Sequence, residues 1–495
     1  MKLILTILLF TSSVFASDIK FNQAPFEWLI SQAMLLKTKE TLHGHDLKQD
    51  QLIQEILEVI SYDNENDHLI LSSNMKLFRL REKLLDYIQS KYRKKPFIEE
   101  SPLFQKWNQE SEKSLYTVEL LKNLPISPGH YVFNHVHTNI SQDNPGLKLF
   151  KMSPAKTLKI YEKYLKKRNT KGVVHFTDHD TDIAYKKASV LANEHIGVQR
   201  GIEWGGSTHM CLVGIKENWD LLGKGRTFRG EESIIQSRSS KGFRIINHPN
   251  ARKAPFKYTS WLDADGVEVW NTILENAGFI SAGKLNPSNN MDALKQWADS
   301  LKIGKRYTAM SGTDFHFNIP CVRDHIMMYP SNFIPTTDIS KSQENLFRGN
   351  TSILMSPIAP KLNLRAKFTS GKKWSKMGEE LIGRGELLVE LDGDLSDTRT
   401  KLNSSCYNTV RSFYRLLTSW KKRFWEIRFY NLKGDVIAKK ILFPSKLKKD
   451  KSFTARIKIP ITDKEIVRAE IWRINKKSKS VDLIGITNPI YLNRE

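Results

Sequence analysis

Residues 175–180 read HFTDHD, two histidines and two aspartates within six positions, directly after the apolar pair Val173-Val174. Imidazole nitrogens and carboxylate oxygens are the groups that hold divalent cations and move protons. Their value depends on partners elsewhere in the chain, and the sequence supplies them. His135 and His137 close the run YVFNHVH, Glu203 closes IGVQRGIEW, and His209 opens HMCLVGI. His248 follows FRIIN, and Asp314 and His316 follow TAMSG. All 13 histidines lie between His43 and His325, so the last 170 residues are not expected to form a metal site.

Six of these histidines with two or three carboxylates exceed the needs of one cation, since each takes about four to six ligands. A nitrogen-rich set suits Zn, Mn or Fe and is a poor match for Ca or Mg alone. Two or three adjacent cations can hold a hydroxide and clamp both oxygens of a displacement. Single pieces carry less weight. His43 and His45 suit a solvated loop, His175 a packed core residue or an indirect partner of the ligands, and His195 and His325 surface or structural positions. Asp178 is expected to orient ligands or handle protons, and Asp180 to cap the following helix. The joint placement of the others at the ends of apolar runs distinguishes them.

The elements that must position them follow from periodicity. Over residues 17–125, QLIQEILEVISY and NMKLFRLREKLLDYIQSKY carry apolar residues at helical spacing, which predicts a helical N-terminal region. Across 130–355, short β-branched runs alternate with helical ones such as SPAKTLKIYEKYLKKRN, which predicts a parallel sheet and, from the number of units, an α/β barrel. Strand C-termini of such a barrel converge on one face, where groups far apart in sequence meet. Over 361–495, runs such as FWEIRFYNLKGDVIAKKILF predict a small antiparallel, sandwich-like β-domain.

The chain has 495 residues and a formal net charge of +24, a balance that favours anionic partners. Residues 361–495 hold 31 Lys and Arg against 15 Asp and Glu, so this segment is a candidate contact for a polyanion or an anionic surface. The start, MKLILTILLFTSSVFASD, has the pattern of a signal peptide cleaved near Ala16, which predicts export to the periplasm or medium. No later apolar run has transmembrane length. Cys211, Cys321 and Cys406 are too few and too dispersed for a disulfide framework.

Together the motifs resemble those of the PHP superfamily, the polymerase and histidinol phosphatase group of metal-dependent phosphoesterases. HVHTNISQD spans His135 to Asp143, TDHD contributes His179, GIEW Glu203, HMCLVG His209, NHP His248, and SGTDFH Asp314 and His316. The similarity covers about 200 residues. It implies a distorted seven-stranded β/α barrel of TIM-like form holding up to three metals. By the same resemblance, His135, His137, Glu203 and Asp314 would hold one metal, and Glu203 would bridge to a second held with His209 and His248. Asp143, His179 and His316 would hold the third. The TNPIYL strand near the C-terminus is similar to the secreted, carbamate-hydrolase-like branch of the superfamily.

The resulting expectation is an exported hydrolase that cleaves phosphoesters of small or polymeric anionic substrates with a metal-activated hydroxide, Asp178, Glu203 and Asp314 being its catalytic carboxylates. Arg200, Arg252 and Lys253 lie where they could meet substrate phosphate. The same cluster would also serve a carbamate, amide or carboxylic-ester hydrolase. A third reading is a non-catalytic protein that binds anionic surfaces.

Overall fold

The computed structural model describes residues 60–63, 68–71, 114–126, 128–141, 152–205, 208–215, 241–250, 256, 261, 264–271, 289–315, 327–397, 423–443, 447, 450–460, 465–475 and 480–493. Residues 1–16, expected to be a signal peptide, and Asp143, Arg252, Lys253, His316 and His325 lie outside them.

In chain order the first strands are β1 (Ile60–Asp63), β2 (His68–Leu71) and β3 (Glu119–Lys122). The central segment runs β4 (His130–Val136), α1 (Pro154–Lys167), β5 (Lys171–Phe176), α2 (Ile183–Ala188), β6 (Ile196–Trp204), β7 (Met210–Val213), β8 (Phe243–Ile246), β9 (Gly266–Asn271), α3 (Asn289–Lys302) and β10 (Thr308–Gly312). It continues with β11 (Ser331–Ile334), α4 (Ser342–Arg348) and β12 (Ser352–Leu354). The C-terminal strands are β13 (Lys361–Phe368), β14 (Ser375–Lys376), β15 (Glu380–Ile382), β16 (Glu386–Asp394), β17 (Arg423–Tyr430), β18 (Val436–Leu442), β19 (Ser452–Pro460), β20 (Glu465–Asn475), β21 (Ser480–Thr487) and β22 (Ile490–Asn493).

Among the described residues the expected β/α barrel is not formed. The described residues are mainly strands, and their principal sheet is open and mixed, in the order β10-β9-β8-β7-β6-β5-β4-β11-β12-β21-β20-β17-β18. Strands β4, β5 and β6 are parallel, as are β8, β9 and β10, but β7 is antiparallel to both neighbours. Only residues 205–209 separate β6 from β7, too few for the crossover that a parallel pair needs. Closure fails for a second reason. Residues 130–132 of β4 pair with β11, so the edge that β10 would have to occupy is taken. Beyond β10 the chain meets the end of β4 again through three backbone bonds and one isolated parallel bridge, Val136 with Phe315: Thr313 N–H donates to Asn134 O at 3.0 Å, His137 N–H to Phe315 O at 3.1 Å and Phe315 N–H to His135 O at 3.4 Å. Those few bonds place Asp314 beside His135 and His137 without making a ladder.

Most of the N-terminal region expected to be helical, including residues 51–59 and 74–92, lies outside the described residues. Its described residues are 60–63, 68–71 and 114–125, which contain β1, β2 and β3. Ile60 and Tyr62, at the end of the helically spaced QLIQEILEVISY, face Leu71 and Leu69 across an antiparallel pair. β3 adds to the edge of β19.

Where helices do occur, local chemistry accounts for them. Ser153 caps α1, its hydroxyl accepting from Lys156 N, and Pro154 occupies the first turn, where its missing N–H has no partner to lose. Leu158, Tyr161 and Leu165 of α1 pack on the sheet. β4 and β9 are buried along their whole length, as strands covered on both faces must be. In the C-terminal part, the antiparallel sheet β14-β13-β16-β19-β3 packs against β17, β20 and β21, with Leu364, Val389 and Ile457 meeting Ile427, Ile471 and Ile484 in one core. No helix among the described residues is long and apolar enough to cross a membrane.

Candidate metal centre

Seven of the sequence-derived candidates are brought together at the ends of six strands and the loops beside them. Glu203, one residue from the end of β6 and 1% exposed, is the hub. Its Oε1 lies 3.1 Å from His135 Nε2, 3.1 Å from His209 Nδ1 and 3.5 Å from His248 Nε2. Its Oε2 lies 3.1 Å from both His137 Nε2 and His179 Nδ1. Asp314 Oδ1 completes the ring at 3.4 Å from His135 Nε2 and 3.6 Å from His137 Nε2. Of the third group implied by the resemblance, His179 is described, and Asp143 and His316 lie outside the described residues.

Five imidazoles surround one buried carboxylate, and His209 Nδ1 and His248 Nε2 are 3.4 Å apart. His135 Nε2 and Glu203 Oε2 are both buried and make no hydrogen bond. Buried polar atoms without partners are costly, and a cation at their common focus would satisfy them. Three overlapping groups have ligand atoms close enough to share an ion: His135, Glu203 and His248; His135, His137 and Asp314; His137, His179 and Glu203. The buried His, Glu and Asp side chains can therefore hold a metal ion.

The backbone is bent to serve this focus. His135, His248 and Asp314 adopt φ of 59°, 26° and 49°, a region non-glycine residues rarely occupy and one that costs about 1–3 kcal/mol each. Three strained ligand positions in one pocket indicate that side-chain placement, not local stability, decides their conformation.

Electrostatics couple the groups strongly. Burial opposes ionisation of Glu203, but His135, His209 and His179 outweigh it and hold its carboxyl well below the usual range. Burial likewise opposes a charge on His135, yet Glu203, Asp314, Cys211 and Glu268 raise it well above an ordinary histidine. The neighbouring Cys211 thiol is pushed up to about 12, chiefly by burial, and is no nucleophile at neutral pH.

Supporting contacts hold the residues around the ligands. Asp178 accepts from Thr138 N and Thr138 Oγ1, each at 2.6 Å, so both of its oxygens hold the loop that carries His137. His137 Nδ1 contacts Ser141 Oγ at 3.1 Å, and that oxygen also accepts from His179 N. Asp180 does not cap α2. The cap position is Asp182, and Asp180 sits at φ 53° with its N–H donated to Glu203 O. His175 is buried with Nδ1 3.2 Å from Asn134 Oδ1, one residue from His135. Arg200 lies against Asp182 and the Tyr185 ring.

Sequence reasoning missed Asn247, Glu268 and Asn271. Asn247 Nδ2 donates to Glu203 Oε1 at 2.8 Å, and Asn271 Nδ2 to Asp314 Oδ2 at 3.1 Å. Glu268 is fully buried and 2.9 Å from His135 Nδ1. A glutamate inside the apolar strand GVEVWN, where no solvent-facing side exists, was the available signal. No protein-family model matches the chain, and no curated protein matches it either.

Proposed function

We propose that this chain is a metal-dependent hydrolase of the PHP type that cleaves phosphoester bonds, with two or three Zn, Mn or Fe ions per chain. The observation that carries the reading is the convergence of five imidazoles and Asp314 on Glu203. Cations at this focus would supply Lewis acidity, acidifying a water and polarising the ester's oxygen. The chain's own part is to place the ligands and to neutralise positive charge. Glu203 offers one oxygen to His135, His209 and His248 and the other to His137 and His179, so a single carboxylate can serve two adjacent centres. Asp314 closes one side of the ring. Asp178 acts by holding Thr138 and hence the loop of His137.

No nucleophilic serine or cysteine is required, and the raised thiol of Cys211 is consistent with that. The positive excess of the chain suits a negatively charged ester. The test is a panel of chromogenic phosphate mono-, di- and triesters beside carboxylic and carbamate esters, run before and after chelation. Phosphoester turnover that is lost on chelation and restored by added metal supports the reading. Turnover confined to the carboxylic or carbamate esters overturns it.

A further inference from the structure

Glu268 is buried among the candidate ligands without being one of the three ligand groups, and its contacts are specific. Oε1 is 2.9 Å from His135 Nδ1. Oε2 accepts from the backbone N–H of His248 at 2.7 Å and from Asn271 Nδ2 at 3.0 Å. Asn271 Nδ2 also reaches Asp314 Oδ2 at 3.1 Å. One carboxylate and one amide on β9 thus hold His135, His248 and Asp314, which come from three other strand ends. These are the three candidate ligands with positive φ among the described residues.

The strand beside it is shaped to admit this carboxylate. A Cβ on Gly312, in β10, would lie 1.5 Å from Glu268 Oε1, 2.7 Å from Glu268 Cδ and 2.7 Å from His135 Cβ. Gly312 needs no unusual backbone angle, so what the glycine provides is room for Glu268 against His135. The glycine of SGTD is accounted for by this packing.

We infer that Glu268 is a positioning residue of the metal centre: it accepts the Nδ1 proton of His135 and clamps the His248 backbone, so that His135 Nε2 points its lone pair at the focus beside Glu203. Carboxylates in this relation to a ligating histidine fix its tautomer and ring orientation and raise its basicity, and their loss weakens metal binding by about 10- to 100-fold. The inference rests on the metal reading above. It assigns a residue that neither the strand pattern nor the ligand motifs single out.

The test is metal affinity rather than turnover. Zn²⁺ and Mn²⁺ binding to the full purified chain is measured by competition with a chromogenic chelator, for the wild type and for Glu268→Gln. The melting temperature of the metal-free form is recorded beside it. The expected result is an affinity 10- to 100-fold lower in Glu268→Gln, with the metal-free melting temperature within a few degrees of wild type. Affinity within twofold of wild type overturns the inference. So does a large fall in melting temperature with unchanged affinity of the folded fraction, which would make Glu268 merely structural. If Glu268→Gln does not fold, Glu268→Asp decides in the same way, because the shorter side chain cannot reach His135 and His248 together. A wild-type chain that binds neither metal would instead refute the metal reading itself.

Discussion

Replacing Glu203 by Gln keeps the volume of the side chain and removes its charge. The consequences can be worked from the contacts. Each Glu203 oxygen faces at least two imidazoles, at 3.1–3.5 Å, and the side chain belongs to two of the three ligand groups. Removing one partner from a buried charge cluster costs about 3–5 kcal/mol. At about 1.36 kcal/mol per factor of ten, metal affinity should fall about 10²- to 10⁴-fold. Turnover of any phosphoester that the wild type hydrolyses should fall with it. The assay is elemental analysis of the dialysed variant together with chelator competition. His43→Ala and His45→Ala, at positions outside the described residues, serve as controls and should leave both measures unchanged. Glu203→Gln that keeps wild-type metal content and affinity would refute the assignment of Glu203 as the hub.

Other consequences follow from the same geometry. Gly312→Ala should lower unfolding free energy by about 1–3 kcal/mol in chemical denaturation, the usual cost of overpacking, because its methyl would meet Glu268 and His135. A change under about 0.5 kcal/mol would contradict the close approach. His175 is held neutral by burial, opposed only by Gln199, with its pKa lowered to about 4. The unfolded chain therefore takes up a proton between pH 6.5 and 4 that the folded chain refuses, and stability is full above that window and lost as pH falls through it. The loss approaches about 3 kcal/mol by pH 4, and metal-free His175→Gln should show a correspondingly shallower decline of unfolding free energy in that window. Equal slopes would refute this. The basic segment 361–495 should make the full chain bind anionic vesicles at low salt and release them near about 0.5 M, where the Debye length falls to roughly 4 Å. Binding indifferent to salt, or absent at low salt, would reduce the excess of Lys and Arg to a solvated surface.

The site was more legible in the sequence than the frame around it. His135, His137, His179, Glu203, His209, His248 and Asp314 stand next to apolar runs, and a short apolar run ending in a ligand type marks a strand end whatever sheet it joins. The sheet itself was not legible in that way. Alternating helical and β-branched texture suggested a uniform β/α repeat, yet the short link between β6 and β7 forces a hairpin, and β11 occupies the edge of β4. Pairing partners across long separations leave no periodic trace in the chain. Glu268 and Asn271 escaped because their function is to hold other side chains, and a single buried glutamate in an apolar strand shows its purpose only when His135 and Gly312 are beside it. Asp180 misled for a local reason. It precedes a helix, but its positive φ and its bond to Glu203 O commit it to the pocket, and Asp182 takes the cap position.

The central claim is that cations sit at the focus of Glu203, and anomalous diffraction from crystals grown with Zn²⁺ or Mn²⁺ tests it most directly. Two or three anomalous peaks are predicted in the pocket, with Zn–N and Zn–O distances of about 2.0–2.2 Å to ring nitrogens of His135, His137, His179, His209 and His248 and to oxygens of Glu203 and Asp314. A well-ordered pocket without an anomalous peak at saturating metal would contradict the account.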